Sequence, residues 1–178
     1  MPHPSISTQY ERVLSKLEPD QLRYCYPFKS PDTDVQTIFS NLHWNLIVSN
    51  GEDPRIRIGI EIVKLSLAAM QEKSQQHGVR MMVLLLPSKA DVYWTKVKAS
   101  AIEDVRVTQE ISTIHHNARR VSSELEDFLS LQDIEVLDLY DPLVASEVQV
   151  FFGGTDGHLN VAGNQVIARK LAQFLQNN

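Results

Sequence analysis

Residues 79–86, VRMMVLLL, followed by Pro87, are the stretch on which the reading of the fold turns. This run, apolar but for Arg80, reads as a buried strand that Pro87 ends. Upstream, Ile58, Ile62, Leu65 and Ala69 recur at helical spacing, and Gly78 is placed to cap the helix C-terminus. Ile58, Ile60 and Ile62 alone would also suit a short strand, but the helical spacing continues beyond them. Downstream, Ile111, Ile114, Ala118, Val121, Leu125 and Phe128 fall three and four apart, which predicts a long helix with a core-facing stripe. The same spacing fits a coiled-coil seam, though a helix packed on a sheet is the expected use. A second strand, Ile134 to Leu139, then runs into a turn at Tyr140-Asp141-Pro142.

Helix, strand, helix, strand, helix is the order of a parallel α/β layer, whose functional loops gather at the carboxyl ends of the strands. Only two strands stand out, fewer than an ordinary sheet contains. Residues 1–56 are the least regular: prolines at 2, 4, 19, 27, 31 and 54 and the turn-rich PFKSPDTD punctuate two short helical candidates. They read as an N-terminal extension or insertion, leaving 57–178 as the α/β portion.

At 178 residues, with 43% apolar and 22% charged residues, the chain has the composition of a soluble globular domain. A formal charge of −5 gives no counterion-release drive toward nucleic acid, and Arg119-Arg120 lies within a mixed-charge helix. Met81 to Pro87 is far too short to span a membrane, and MPHPSISTQYERVL lacks the pattern of a signal peptide. The chain as written is expected to be soluble. Its localisation is left open: if the chain is the C-terminal part of a longer protein, an export signal or anchor would lie upstream and make it extracytoplasmic. Cys25, the single cysteine, reads as a free thiol. His115 and His116, being adjacent, point to different faces and read as solvated or partly packed side chains rather than as a metal pair. No metal or cofactor is implied.

Chemistry concentrates in 151–175, FFGGTDGHLNVAGNQVIARKLAQFL. Gly153 and Gly154 turn the chain after two phenylalanines, and Asn160 is placed as N-cap of a helix carrying Val166, Ile167, Leu171, Phe174 and Leu175 at helical spacing. Gly163 would let that helix approach the sheet closely. His158 therefore sits on a loop just before a helix, and Asp156, two residues earlier, can orient its imidazole as the acid of a catalytic triad does. Asp-Gly is also a common turn dipeptide, and a loop histidine is often only a surface residue.

The run TDGHLNVAGNQVIARKLAQFL resembles the last block of the SGNH (GDSL-type) hydrolase superfamily, in which an Asp and a His precede a final helix. Residues 83–93, VLLLPSKADVY, resemble the strand-end Pro-x-Lys-x-x-x-Tyr pattern of the alginate O-acetyltransferase-like branch. The resemblance covers roughly Ile58 to the C-terminus. It implies the C-terminal part of a flavodoxin-like, three-layer parallel sheet and a serine esterase or O-acyltransferase acting on an acylated carbohydrate or similar ester. His158 would be the general base and Asp156 its orienting acid. Ser88, after the first strand, is the nucleophile candidate in this chain, although a serine at a strand exit is also ordinary turn chemistry. Lys89, Tyr93 and Asn160 would position substrate or brace the loop.

The chain departs from the family pattern in having no Gly-Asp-Ser block and no Gly-x-Asn-Asp block; Ser49-Asn50-Gly51-Glu52-Asp53 substitutes for neither. Two alternatives follow. One is a non-catalytic SGNH-like module that binds a glycan or protein partner. The other is an interaction protein whose 111–128 stripe is a homo-oligomer seam; in the esterase reading, the serine and the completing strands are expected from a missing N-terminal segment.

Overall fold

Asp53 and Gly78 delimit the helix expected before the strand, and both do so by recognisable chemistry. The computed structural model describes residues 6–18, 24–100 and 104–177. Helices α1 (Ile6–Leu14), α2 (Leu42–Ser49) and α3 (Pro54–Gln76) precede strand β3 (Met82–Leu85), and α1 is separated from α2 by strands β1 (Cys25–Lys29) and β2 (Gln36–Ser40). Helices α4 (Lys89–Ala99) and α5 (Val105–Leu131) lead to β4 (Glu135–Asp138), followed by α6 (Tyr140–Val144) and α7 (Val161–Asn177). Asp53 caps α3 by accepting the Arg55 amide at 2.9 Å, with Pro54 in the first turn, where its missing N–H costs nothing. At the other end Gly78, at φ 63°, passes the Val79 amide to the Ser74 carbonyl and its own to Gln75. This is a Schellman closure.

Strands β3 and β4 pair in parallel, Met82 opposite Glu135 and Leu85 opposite Asp138. Both are shorter than their apolar runs, and 79–81 lie outside the strand. The turn expected at Tyr140-Asp141-Pro142 is instead α6, a short helix that accommodates Pro142 in its first turn. The chain is mixed α/β, with two small sheets among the described residues, one of them parallel.

The N-terminal third departs most from expectation. β1 and β2 form an antiparallel hairpin, Cys25 opposite Ser40 and Lys29 opposite Gln36, where the sequence suggested irregular chain. The turn-rich Ser30–Val35 is the connection, closed by the Ser30 amide on the Val35 carbonyl at 2.9 Å. Pro27 is tolerated because β1 is paired on one edge only. Phe28, Val35, Phe39 and Leu42 bury themselves in the same core as Val92, Tyr93, Val97, Ile111 and Ile114. Residues 24–50 are thus part of the packed body.

A second departure concerns α3. Ile58, Ile62 and Leu65 are 62%, 58% and 71% exposed, while Ile60 is buried. The face turned to α5 carries Arg57, Ile60, Lys64 and Gln71: Arg57 and Lys64 both pair with Glu124, and Gln71 donates to the Asp133 carbonyl at 2.7 Å. The stripe on α5 behaves as read at its start, with Ile111 and Ile114 buried, and is half-buried from Ala118 onward. Among the described residues no helix is long and apolar enough to cross a membrane.

Candidate active site

The segment between β4 and α7 folds back on itself. Phe151 bridges Leu159 in antiparallel fashion, the Phe152 amide donates to the His158 carbonyl at 3.2 Å, and the Asn160 amide to the Val150 carbonyl at 2.9 Å. Residues 152–158 are thereby a closed loop with Asp156 and His158 toward its end. Its base is braced by side chains. The Tyr93 hydroxyl accepts the Val150 and Phe151 amides at 3.1 and 3.2 Å, and burial pushes this phenol up to about 12. Asn160 donates to the Gln149 and Phe151 carbonyls at 2.7 and 3.1 Å and caps α7 by accepting the Gly163 amide at 3.0 Å. With both ends engaged in backbone bonds and 7% exposure, Asn160 braces the base of the loop. Gly163 serves close approach as expected, against a different partner: a Cβ there would lie 2.3 Å from the Val150 carbonyl oxygen.

Lys89 holds the loop from beneath. Its Nζ donates to the Gly154 carbonyl at 2.8 Å, to Thr37 Oγ1 at 3.2 Å and to the Ile38 carbonyl at 3.4 Å, tying the loop to β2. Burial draws the ammonium down from 10.5 to about 8, opposed by the charge of Asp156. Ser40 adds a fourth tie, its hydroxyl donating to the Thr155 carbonyl at 3.0 Å.

On this support Asp156 and His158 meet. Asp156 Oδ1 accepts both the His158 amide at 2.8 Å and the ring Nδ1 at 2.6 Å, so a gap of two residues suffices to build the pair locally. The amide bond, then the ring bond and the nearby positive charge of Lys89, hold the carboxyl below its usual range, against partial burial. An ionised Asp156 assigns the proton to Nδ1 and leaves Nε2 as the acceptor, the tautomer a general base requires. The His158 side chain is 89% exposed, open to an incoming ligand.

Ser88 lies elsewhere. It is the N-cap of α4, its Oγ accepting the Asp91 amide at 3.2 Å, and it lines a cavity of about 290 Å³ with Asn45, Ile60, Ile114 and Val121, to which neither Asp156 nor His158 contributes. Among the described residues no hydroxyl or thiol is hydrogen-bonded to His158.

A second Asp-His pair went unread in the sequence. Asp91 Oδ1 meets His115 Nδ1 at 2.6 Å, with the His115 ring stacked on Trp94 at 6.0 Å and tilted against Tyr140 at 5.8 Å. Burial pushes the Asp91 carboxyl up, against the bond from His115. Beside them Arg119 pairs with Asp138 at 2.6 Å and lies over the Tyr140 ring. The Ser-x-x-Asp spacing of 88–91 announces a capping box, yet the Asp91 carboxylate turns to His115, 24 residues away, which no local pattern encodes. Among the described residues no group of three or more His, Cys, Asp or Glu side chains is disposed to hold a metal ion.

The fold and site define a mixed α/β protein with an exposed Asp-His dyad on a loop anchored by a buried lysine. No family model matches the chain, and neither a curated protein nor a solved structure matches it.

Proposed function

We propose that this chain is an SGNH-type serine esterase or O-acyltransferase module, with β3, β4, α3 and α5 as part of a flavodoxin-like layer and Asp156-His158 as its acid–base pair. The observation that carries the reading is the 2.6 Å contact from Asp156 to Nδ1 of a His158 that is itself 89% exposed. In this reading Nε2 takes the proton of a serine hydroxyl as the oxygen attacks an ester carbonyl, and Asp156 stabilises the imidazolium. The imidazolium then protonates the departing alkoxide. The serine comes from outside the described contacts of His158, because Ser88 is engaged as a helix cap. Lys89, Tyr93 and Asn160 keep the dyad loop in place. An acylated carbohydrate or similar ester is the substrate.

The test is turnover of p-nitrophenyl acetate and intact-mass detection of a fluorophosphonate adduct, for the wild type, His158→Ala and, as a control for non-specific imidazole catalysis, the exposed His77→Ala. Loss of turnover on the order of 100-fold or more in His158→Ala alone is the expected outcome. Turnover equal in the two variants, or absent from the wild type, counts against the enzyme reading.

The isolation of Ser88 from His158 supports a second reading, a non-catalytic SGNH-like module that binds a glycan or protein partner through the same loop. It predicts no adduct on any serine, with ligand binding retained in His158→Ala.

A further inference from the structure

A cavity of about 370 Å³ opens where α1 lies against the dyad loop, bounded by Arg12, Val13 and Lys16 on one side and by Phe152, Gly154 and Asp156 on the other. The seating is close: a Cβ at Gly154 would stand 2.9 Å from Val13 Cγ2, so the glycine lets the helix reach the loop. Tyr10, buried one turn earlier, fixes the same helix in the core. Arg12, in the last turn of α1, and Lys16, in the turn that follows it, both line this cavity, and among the described residues neither side chain has a hydrogen-bond or ion-pair partner. Lys29, Lys73, Lys96, Lys98, Arg169 and Lys170 also lack an acidic partner among the described residues, but Arg12 and Lys16 are the two cations that line this cavity. The carboxylate facing them, Asp156, is engaged on its own side by the His158 amide and ring, with the Lys89 charge nearby.

We propose that this cavity is the subsite for a second, anionic group on the ligand: Arg12 and Lys16 hold a carboxylate, the aliphatic portion lies on Val13 and Phe152, and the ester end is presented to His158. The inference rests on the esterase reading for the ester's fate, but the charge preference is a property of binding and is measured without turnover. The probes are monoethyl succinate and its neutral counterpart ethyl butyrate, titrated at low ionic strength into ¹⁵N-labelled His158→Ala protein and followed by amide shifts of 152–158. The charged ester is expected to bind about tenfold tighter, the preference fading as salt rises. Arg12→Gln/Lys16→Gln in the same background is expected to erase the preference, and Arg12→Lys/Lys16→Arg to keep it. Thermal unfolding of each variant checks that α1 still docks.

Equal affinity for the two probes, or a preference that survives the double glutamine variant, overturns the proposal. Absence of ester turnover in the wild type removes the esterase reading alone. Turnover that depends on His158 together with equal probe affinities removes the anionic subsite alone.

Discussion

Lys89 is the residue on which the loop's geometry depends, and its burial makes that dependence visible in pH. All three of its donated bonds go to β2 or to the dyad loop, and the folded protein holds its ammonium at about 8 against 10.5 in free solution. Between those values the unfolded chain binds the extra proton, so stability rises with pH across this window and is lost as pH falls from 10.5 to 8. The full span is worth about 3 kcal/mol, of which roughly half falls between pH 8 and 9.5. Tyr93 acts in the opposite direction: with its phenol raised to about 12, its contribution is fully present below 10 and lost only above it. Urea denaturation at pH 8 and 9.5 should therefore show wild-type stability gaining about 1.5 kcal/mol relative to Lys89→Met over the same interval. A variant whose pH slope matches the wild type would mean that Lys89 titrates normally. At this scale the sequence was legible where chemistry is local. Asp156, His158 and the Asn160 cap act within three residues of their partners, and each was readable from spacing. Lys89 and Tyr93 were recognised as positions while their partners, at 37–38 and 150–154, lie too far along the chain for any spacing rule to supply. Ser88 is the converse case: a strand exit says where a residue sits in the chain, not what its hydroxyl meets, which here is the Asp91 amide.

The elements end by two versions of one closure. After α3, Gly78 adopts φ 63°; after α5, Asp133 does the same at φ 54°, with the Ile134 amide on the Leu129 carbonyl at 2.9 Å and its own on Ser130 at 3.2 Å. The left-handed conformation is free for glycine and costs an L-residue about 1–2 kcal/mol, less for Asp, whose short side chain tolerates it. Nothing lies within 4 Å of a Cβ built at Gly78, so Gly78→Ala is a purely backbone perturbation and should lower stability by about 1 kcal/mol. Asp133→Gly should leave stability unchanged or raise it by up to about 1 kcal/mol, because its carbonyl still receives Gln71. Thermal melts of the pair decide: shifts of the same sign would show that the two ends are not equivalent closures. The glycine was visible in the sequence as a stop signal. Its aspartate counterpart was not, since Asp marks helix starts and turns at least as often.

At the scale of the molecule, α3, β3, α5, β4 and α7 and their order followed from periodicity, whereas α4, α6 and the hairpin at 25–40 did not. Its strands are five residues each, one interrupted by Pro27, and the turn signals between them read equally well as loop. Periodicity also identifies an apolar stripe without saying what covers it. On α3 the stripe through Ile58, Ile62 and Leu65 faces solvent, and the helix is held through Ile60 and the Arg57 and Lys64 pairs to Glu124 on the adjoining face. Two ion pairs sharing one carboxylate fix the rotation of the helix, although a partly exposed pair contributes little net energy. The buried isoleucine then carries most of the apolar contribution to docking. Ile60→Ala should cost about 2–3 kcal/mol, the usual loss for a large buried side chain that leaves a void. Ile62→Ala and Leu65→Ala should each stay within about 0.5 kcal/mol, as surface substitutions do. Urea midpoints for the three variants measure the rotation directly. A large loss at Ile62 or Leu65 with little at Ile60 would place the stripe in a buried contact in solution and turn α3 by roughly half a revolution from the orientation described.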